Sequence, residues 1–129
     1  MKQYISVKRD WVKGHFTPDS VHHYDTKEGK LKLLDTIINS NWVEPTETFK
    51  LQSLGITLGD ILVQDKSFEW VEIEDEYGND PALILPDTTL KLFPLTMISK
   101  RLEKGEELDI YSFYKNLVDK IDEIKSDAN

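Results

Sequence analysis

The sequence predicts an α+β fold in which a helical hairpin is followed by a three-stranded antiparallel meander and a C-terminal helix. Three observations predict it. Apolar residues recur at helical spacing from Leu31 to Leu62, with one polar break at Asn39-Ser40-Asn41. Between Trp70 and Leu92 they change to alternation and short continuous runs, punctuated by Pro81, Pro86 and Pro94. The helical spacing returns from Leu95 to Ile124. Side chains share a helix face every 3.6 residues and a strand face every second residue, so a change of period marks a change of element.

Residues 1–24 fit neither period, because Tyr4, Ile5, Val7, Trp11, Val12 and Phe16 are irregularly spaced. A short helix from Ser6 to Lys13, closed by Gly14, is the reading here, and the pattern assigns no structure to the rest of residues 1–24. His22 and His23 are adjacent and would point in different directions, so they do not form a metal pair with each other. Asp25 followed by Glu28 opens the first helix of the hairpin, with Leu31, Leu34, Ile38 and Trp42 on its stripe. Thr46 caps the second, whose apolar side holds Leu51, Leu54, Leu58, Ile61 and Leu62. Gly55 and Gly59 lie inside that helix, where each costs about 1 kcal/mol relative to Ala, so a neighbour is expected to approach closely there.

In the meander, Val71 and Ile73 share the inward face of the first strand, with Trp70, Glu72 and Glu74 on the wet face. Ala82 to Leu85 is apolar on both faces, which suits a central strand bracketed by Pro81 and Pro86. Leu90 and Leu92 alternate with Lys91 on the third strand. After Pro94, Leu95, Ile98 and Leu102 mark a short helix that carries Lys100, Arg101 and Lys104 and is capped by Gly105. The last helix starts at Asp109 and aligns Ile110, Phe113 or Tyr114, Leu117, Ile121 and Ile124, to cover the meander or the helical hairpin.

The 129 residues suit one domain, 1–129, with 25–125 as its core. Twenty-four acidic against sixteen basic side chains give a net charge of −8, which argues against nucleic acid and anionic membranes and favours solubility or a basic protein partner. The excess is uneven: residues 1–32 hold seven Lys or Arg and four Asp or Glu, so the acidity belongs to the rest of the chain. With no cysteine there is neither a disulfide framework nor a thiolate metal site. No stretch has signal-peptide or membrane-spanning character, and a cytoplasmic protein is expected.

Glu69, Glu72, Glu74, Asp75, Glu76 and Asp80 fall within twelve residues that contain no Lys or Arg. The turn holding Asp75, Glu76, Tyr77 and Asp80, beside Trp70, is the candidate binding site. Lys100 and Arg101 are expected to answer its carboxylates, or with Thr96 and Ser99 to meet an anion. The spacing lacks the Asp-x-Asp-x-Asp-Gly pattern that wraps calcium, and no His or Ser lies close enough in sequence to complete an acid–base set. No catalytic residue, cofactor or metal is therefore assigned. The reading is a non-enzymatic protein-binding module, in its specific form an immunity-type inhibitor of a basic toxin. The alternative is a carboxylate-dependent hydrolase or transferase assisted by a divalent metal.

Glu69-Trp70-Val71, Asp75-Glu76-Tyr77-Gly78, Asp80-Pro81-Ala82-Leu83 and the run from Phe93 to Arg101 resemble a bacterial family, domain of unknown function 3806. Leu54-Gly55, Leu58-Gly59-Asp60 and Gly29-Lys30-Leu31 add weaker echoes, so the likeness spans roughly residues 28–113. The resemblance implies a bacterial source and a single intracellular domain. It transfers no catalytic residues, because the family has no assigned activity.

Overall fold

The computed structural model describes residues 2–76 and 78–128. In chain order its elements are α1 (Lys2–Lys13), a 3-10 helix (Val21–Asp25), α2 (Lys27–Asn39), α3 (Thr48–Lys66), β1 (Glu69–Asp75), β2 (Gly78–Ile84), β3 (Lys91–Leu92), α4 (Pro94–Glu103) and α5 (Ile110–Ala128). The fold is α+β, and its helices and antiparallel sheet follow the order that the change of period predicts. No helix among the described residues is long and apolar enough to cross a membrane.

Helix α3 is the axis. From Ser53 to Gly59 every residue is buried, as are Leu51, Ile61 and Leu62. A helix enclosed on nearly all sides must present small residues where partners come closest. Gly55 meets the backbone of Pro94 and Leu95 at the start of α4, and Gly59 meets the Trp70 ring. Helices α1, α2 and α4 and strand β1 all pack on α3. One apolar core runs from Val12 of α1 through Leu34, Leu58 and Leu83 to Ile121 of α5.

Several local expectations are corrected. The N-terminal helix is longer than the reading, since α1 begins at Lys2 instead of Ser6, and it packs on α3, to which Tyr24 also bonds. The cap of α2 is Thr26, whose side chain accepts from the Gly29 amide, rather than Asp25. Glu47, not Thr46, precedes α3, and its side chain makes no capping bond. Helix α2 stops at Asn39, so Trp42 falls beyond it and is 51% exposed; Ile124 is 44% exposed at the far end of α5. Pro81 lies inside β2, opposite Glu72. Its missing amide is harmless because β3 pairs only with Leu83 and Ile84 and leaves that side of Pro81 without a ladder.

Trp70 is the correction with most consequence. Directly opposed residues share a sheet face, and Trp70 is opposite Leu83, which in turn is opposite Leu92. Leu83 is fully buried and Trp70 packs on the core, so this is the inward face. Val71 and Ile73 lie on the other face and are only half-buried.

Of its two expected partners, α5 takes the helical hairpin, packing on α2 and reaching the end of α3. The Tyr114 hydroxyl donates to Asp65 at 2.5 Å, and Lys27 lies 3.4 Å from the same carboxylate. Burial pushes the Asp65 carboxyl upward, but the Tyr114 hydrogen bond and the Lys27 charge outweigh it and hold the pKa below the usual value. A carboxylate depressed in the folded state stabilises above its unfolded pKa and loses that contribution as pH falls through the folded one. Tyr114→Phe is expected to cost about 1.5 kcal/mol at neutral pH. Urea midpoints should show the gap between wild type and variant narrowing once pH drops below about 4. An undiminished gap at low pH would mean that the hydroxyl acts by packing alone.

Candidate functional site

Strands β1 and β2 pair without interruption from Glu69 opposite Ile84 to Asp75 opposite Gly78. The connection is therefore two residues, Glu76 and Tyr77, and most of the expected acidic loop is strand. Gly78 follows at φ +123°, a backbone conformation that a side chain would strain. Glu74 stands opposite Asn79 and Ile73 opposite Asp80, so the carboxylates are spread along a ribbon.

Glu69, Glu72, Glu74, Glu76 and Asp80 are all exposed. Among the described residues none of them enters an ion pair. The side chain of Asp75 and the whole of Tyr77 lie outside the described residues. Asp80 is close enough to α1 for its charge to act on Tyr4, whose hydroxyl is pushed upward first by burial and then by Asp80. Among the described residues no three of His, Asp and Glu come together in a way that could hold a metal ion.

Among the described residues neither Lys100 nor Arg101 pairs with a carboxylate of the ribbon. Arg101 lies 3.8 Å from Glu106, with its guanidinium 5.0 Å from the centre of the Phe113 ring. Lys100 is exposed and in no ion pair among the described residues. The anion arrangement is not assembled either, because Ser99 is buried and Thr96 donates to the Phe93 carbonyl. Helical geometry is the reason: these cations sit near the end of α4 and face α5, which begins a few residues later.

Trp70, at the base of the ribbon, belongs to a different constellation. Its indole nitrogen donates to Asp60 at 3.1 Å. The Arg9 guanidinium grips both oxygens of Asp60 at 2.7 Å, and the Tyr24 hydroxyl donates at 2.7 Å. The Asp60 side chain is 11% exposed. A carboxylate offers about four acceptor positions, and four donors occupy them here, two on each oxygen. The acceptor positions of Asp60 are therefore all taken by side chains of this protein, and the arrangement works as a clasp.

The surroundings reinforce the clasp. Hydrogen bonding to Asp60 raises the Arg9 pKa against its partial burial. Burial, then the Asp60 charge, pushes the Tyr24 hydroxyl far upward, so it stays a donor. Tyr24 also meets the Thr57 hydroxyl at 3.1 Å. Lys30 lies 5.2 Å from the centre of the Tyr24 ring and donates to Gln64 at 2.5 Å, its amine pushed down by burial. Among the described residues no buried side-chain nitrogen or oxygen lacks a partner.

Sequence reasoning missed Arg9 and Tyr24 and noted Asp60 only as part of a resemblance. One signal was present: Asp60 interrupts the apolar run of α3, and a carboxylate among buried residues needs donors. Nothing local named those donors, which come from 51 and 36 residues away.

The family model for Domain of unknown function (DUF3806) matches residues 30–114. The span takes in the sheet, α3, α4 and α2 from Lys30 onward, while α1 and the 3-10 helix fall outside it. Asp60 and Trp70 thus lie within the matched span, and Arg9 and Tyr24 beyond it. A crystal structure from Bacteroides thetaiotaomicron VPI-5482 is similar with a TM-score of 0.69 at 18% identity, covering 91% of this chain. That likeness is one of fold, and this chain spans only 43% of that protein's length. No curated protein matches the chain. The match extends over about two-thirds of the sequence, and the chain belongs to the family described as Domain of unknown function (DUF3806).

Proposed function

We propose that this protein is a non-enzymatic binding module that takes a basic protein partner on the ribbon from Glu69 to Asp80 and acts in the cytoplasm. One observation carries the reading: five exposed carboxylates, four on two paired strands and Glu76 in the turn between them, none held in an ion pair among the described residues. Like charges held in a rigid array make a field that speeds encounter with a basic surface and rejects an acidic one. Trp70 anchors the base of the array through Asp60. Glu76 and Asp80 supply charge near the turn, and by sequence position Asp75 and Tyr77 complete it. Lys100 and Arg101 flank a separate face and have no role in this version. The narrower form is an immunity-type role, neutralising a basic toxin by covering its cationic surface.

The triple substitution Glu72→Lys, Glu74→Lys and Glu76→Lys tests the reading, since all three side chains are exposed and the fold should survive. Tagged wild type from the native host should retain a basic partner at low salt and release it as salt rises. The triple variant should associate with that partner at least about tenfold more slowly. Unchanged association with the recovered partner would remove the ribbon from the interface.

A further inference from the structure

The geometry points to a second docking site, a cleft of about 760 Å³ that takes a basic amphipathic peptide segment. It lies where α2 and α4 end and the chain turns into α5. Its apolar floor is formed by Ile38, Val43, Leu54, Leu102 and Leu108. Asp35, Glu106, Glu107 and Asp109 stand on its walls, and no Lys, Arg or His is among the lining residues.

The negative character has a second, backbone source. Both helices close at the cleft with the same hydrogen-bond pattern. In α2, Asn41 takes φ 54°, its amide bonds the Ile38 carbonyl, and the Trp42 amide bonds that of Ile37. In α4, Gly105 takes φ 76°, its amide bonds the Leu102 carbonyl, and the Glu106 amide bonds that of Arg101. These are paired Schellman closures, and they bring two helix C-termini, the negative ends of their dipoles, to one depression. The N-terminus of α5 offers little opposing charge, because Asp109 accepts from the Tyr111 and Ser112 amides.

Four carboxylates and two helix C-termini around aliphatic side chains select an occupant that is cationic at its edge and apolar beneath. Lys or Arg stems alongside Leu-like side chains satisfy both demands, and the volume holds a few side chains. Asp35 already accepts from Asn39, and Glu106 is loosely paired with Arg101, but neither arrangement fills the floor. Every lining residue falls within the family-matched span and none belongs to the ribbon, so this site stands apart from the proposed function.

A short fluorescein-labelled peptide alternating Leu and Lys is the probe, read by fluorescence anisotropy on the whole chain. Wild type should bind it, and Glu106→Lys with Glu107→Lys should weaken binding by about tenfold. Both residues are exposed, so the doubly substituted protein should keep its circular dichroism spectrum. Replacing Leu by Ser in the peptide should weaken binding to a similar degree, and the ribbon triple variant should bind as wild type does. No binding by wild type, equal binding by the Glu106/Glu107 variant, undiminished binding of the Ser peptide, or loss confined to the ribbon variant would each overturn the proposal.

Discussion

Asp60→Ala is expected to lower stability by about 3 kcal/mol, among the largest losses any single side chain here should produce. The substitution removes the acceptor for four donors at once and leaves Arg9 charged beside a half-emptied site. Partial exposure of the Arg9 side chain, 31%, lets water rescue some of that charge and keeps the loss below the extreme for a buried pair. Arg9→Met should cost less, about 1–2 kcal/mol, because Tyr24 and Trp70 still satisfy the carboxylate. Urea denaturation of both single variants and the double variant closes the cycle. The double variant should be more stable than the sum of the single losses implies, since each single change strands a partner. Additive losses would show that Asp60 and Arg9 do not act together, and a loss below 1 kcal/mol for Asp60→Ala would reduce the clasp to a surface contact.

Gly55→Ala tests the packing of α3 with the opposite sign from helix propensity. Propensity alone predicts a gain of about 1 kcal/mol. The new Cβ, however, would run into the Pro94 carbonyl oxygen and lie 2.6 Å from the Leu95 Cα, and these are backbone atoms at the start of a packed helix. Separating α3 from α4 should outweigh the gain and leave a net loss of about 2–3 kcal/mol. Gly59→Ala meets the Trp70 ring instead, a side chain that is itself tied to Asp60. It should also disturb Trp70, visible as a shift in tryptophan emission, whereas Gly55→Ala should leave emission closer to wild type. A stabilised Gly55→Ala protein would show that α4 can slide away at little cost.

Much of the fold was legible because its signals are local. Leu31, Leu34, Leu54, Leu58, Ile61, Ile98, Ile110 and Ile121 carry the periods that named their helices, and all are buried. The close approach expected at Gly55 and Gly59 is present. Failures cluster where the local pattern has two readings. Alternation in β1 left either face free to turn inward, and Trp70 decided it, because one large ring on Gly59 with a hydrogen bond to Asp60 outweighs two half-buried aliphatics. Residues 1–24 were illegible for a related reason. Helix α1 buries Ile5 and Val12 with Lys8 between them, whose ammonium lies over the Tyr4 and Phe49 rings, and this mixed face has no clean apolar period.

The candidate site divides in the same way. Acid density from Glu69 to Asp80 and the absence of nearby cations were visible in the sequence, since both are properties of contiguous residues. Whether Lys100 or Arg101 would answer those acids depended on how α4 is rotated, and Arg101 turned to Glu106. By itself the sequence determined the α+β class, the order of elements, the family and the acidity of the ribbon. Only the tertiary structure decided that Asp60 is clasped by Arg9, Tyr24 and Trp70, and that two helix ends meet at one acidic cleft. Periodicity is written in neighbouring residues, whereas a hydrogen bond between residues 51 apart exists only once the packing of α1 on α3 has brought them together.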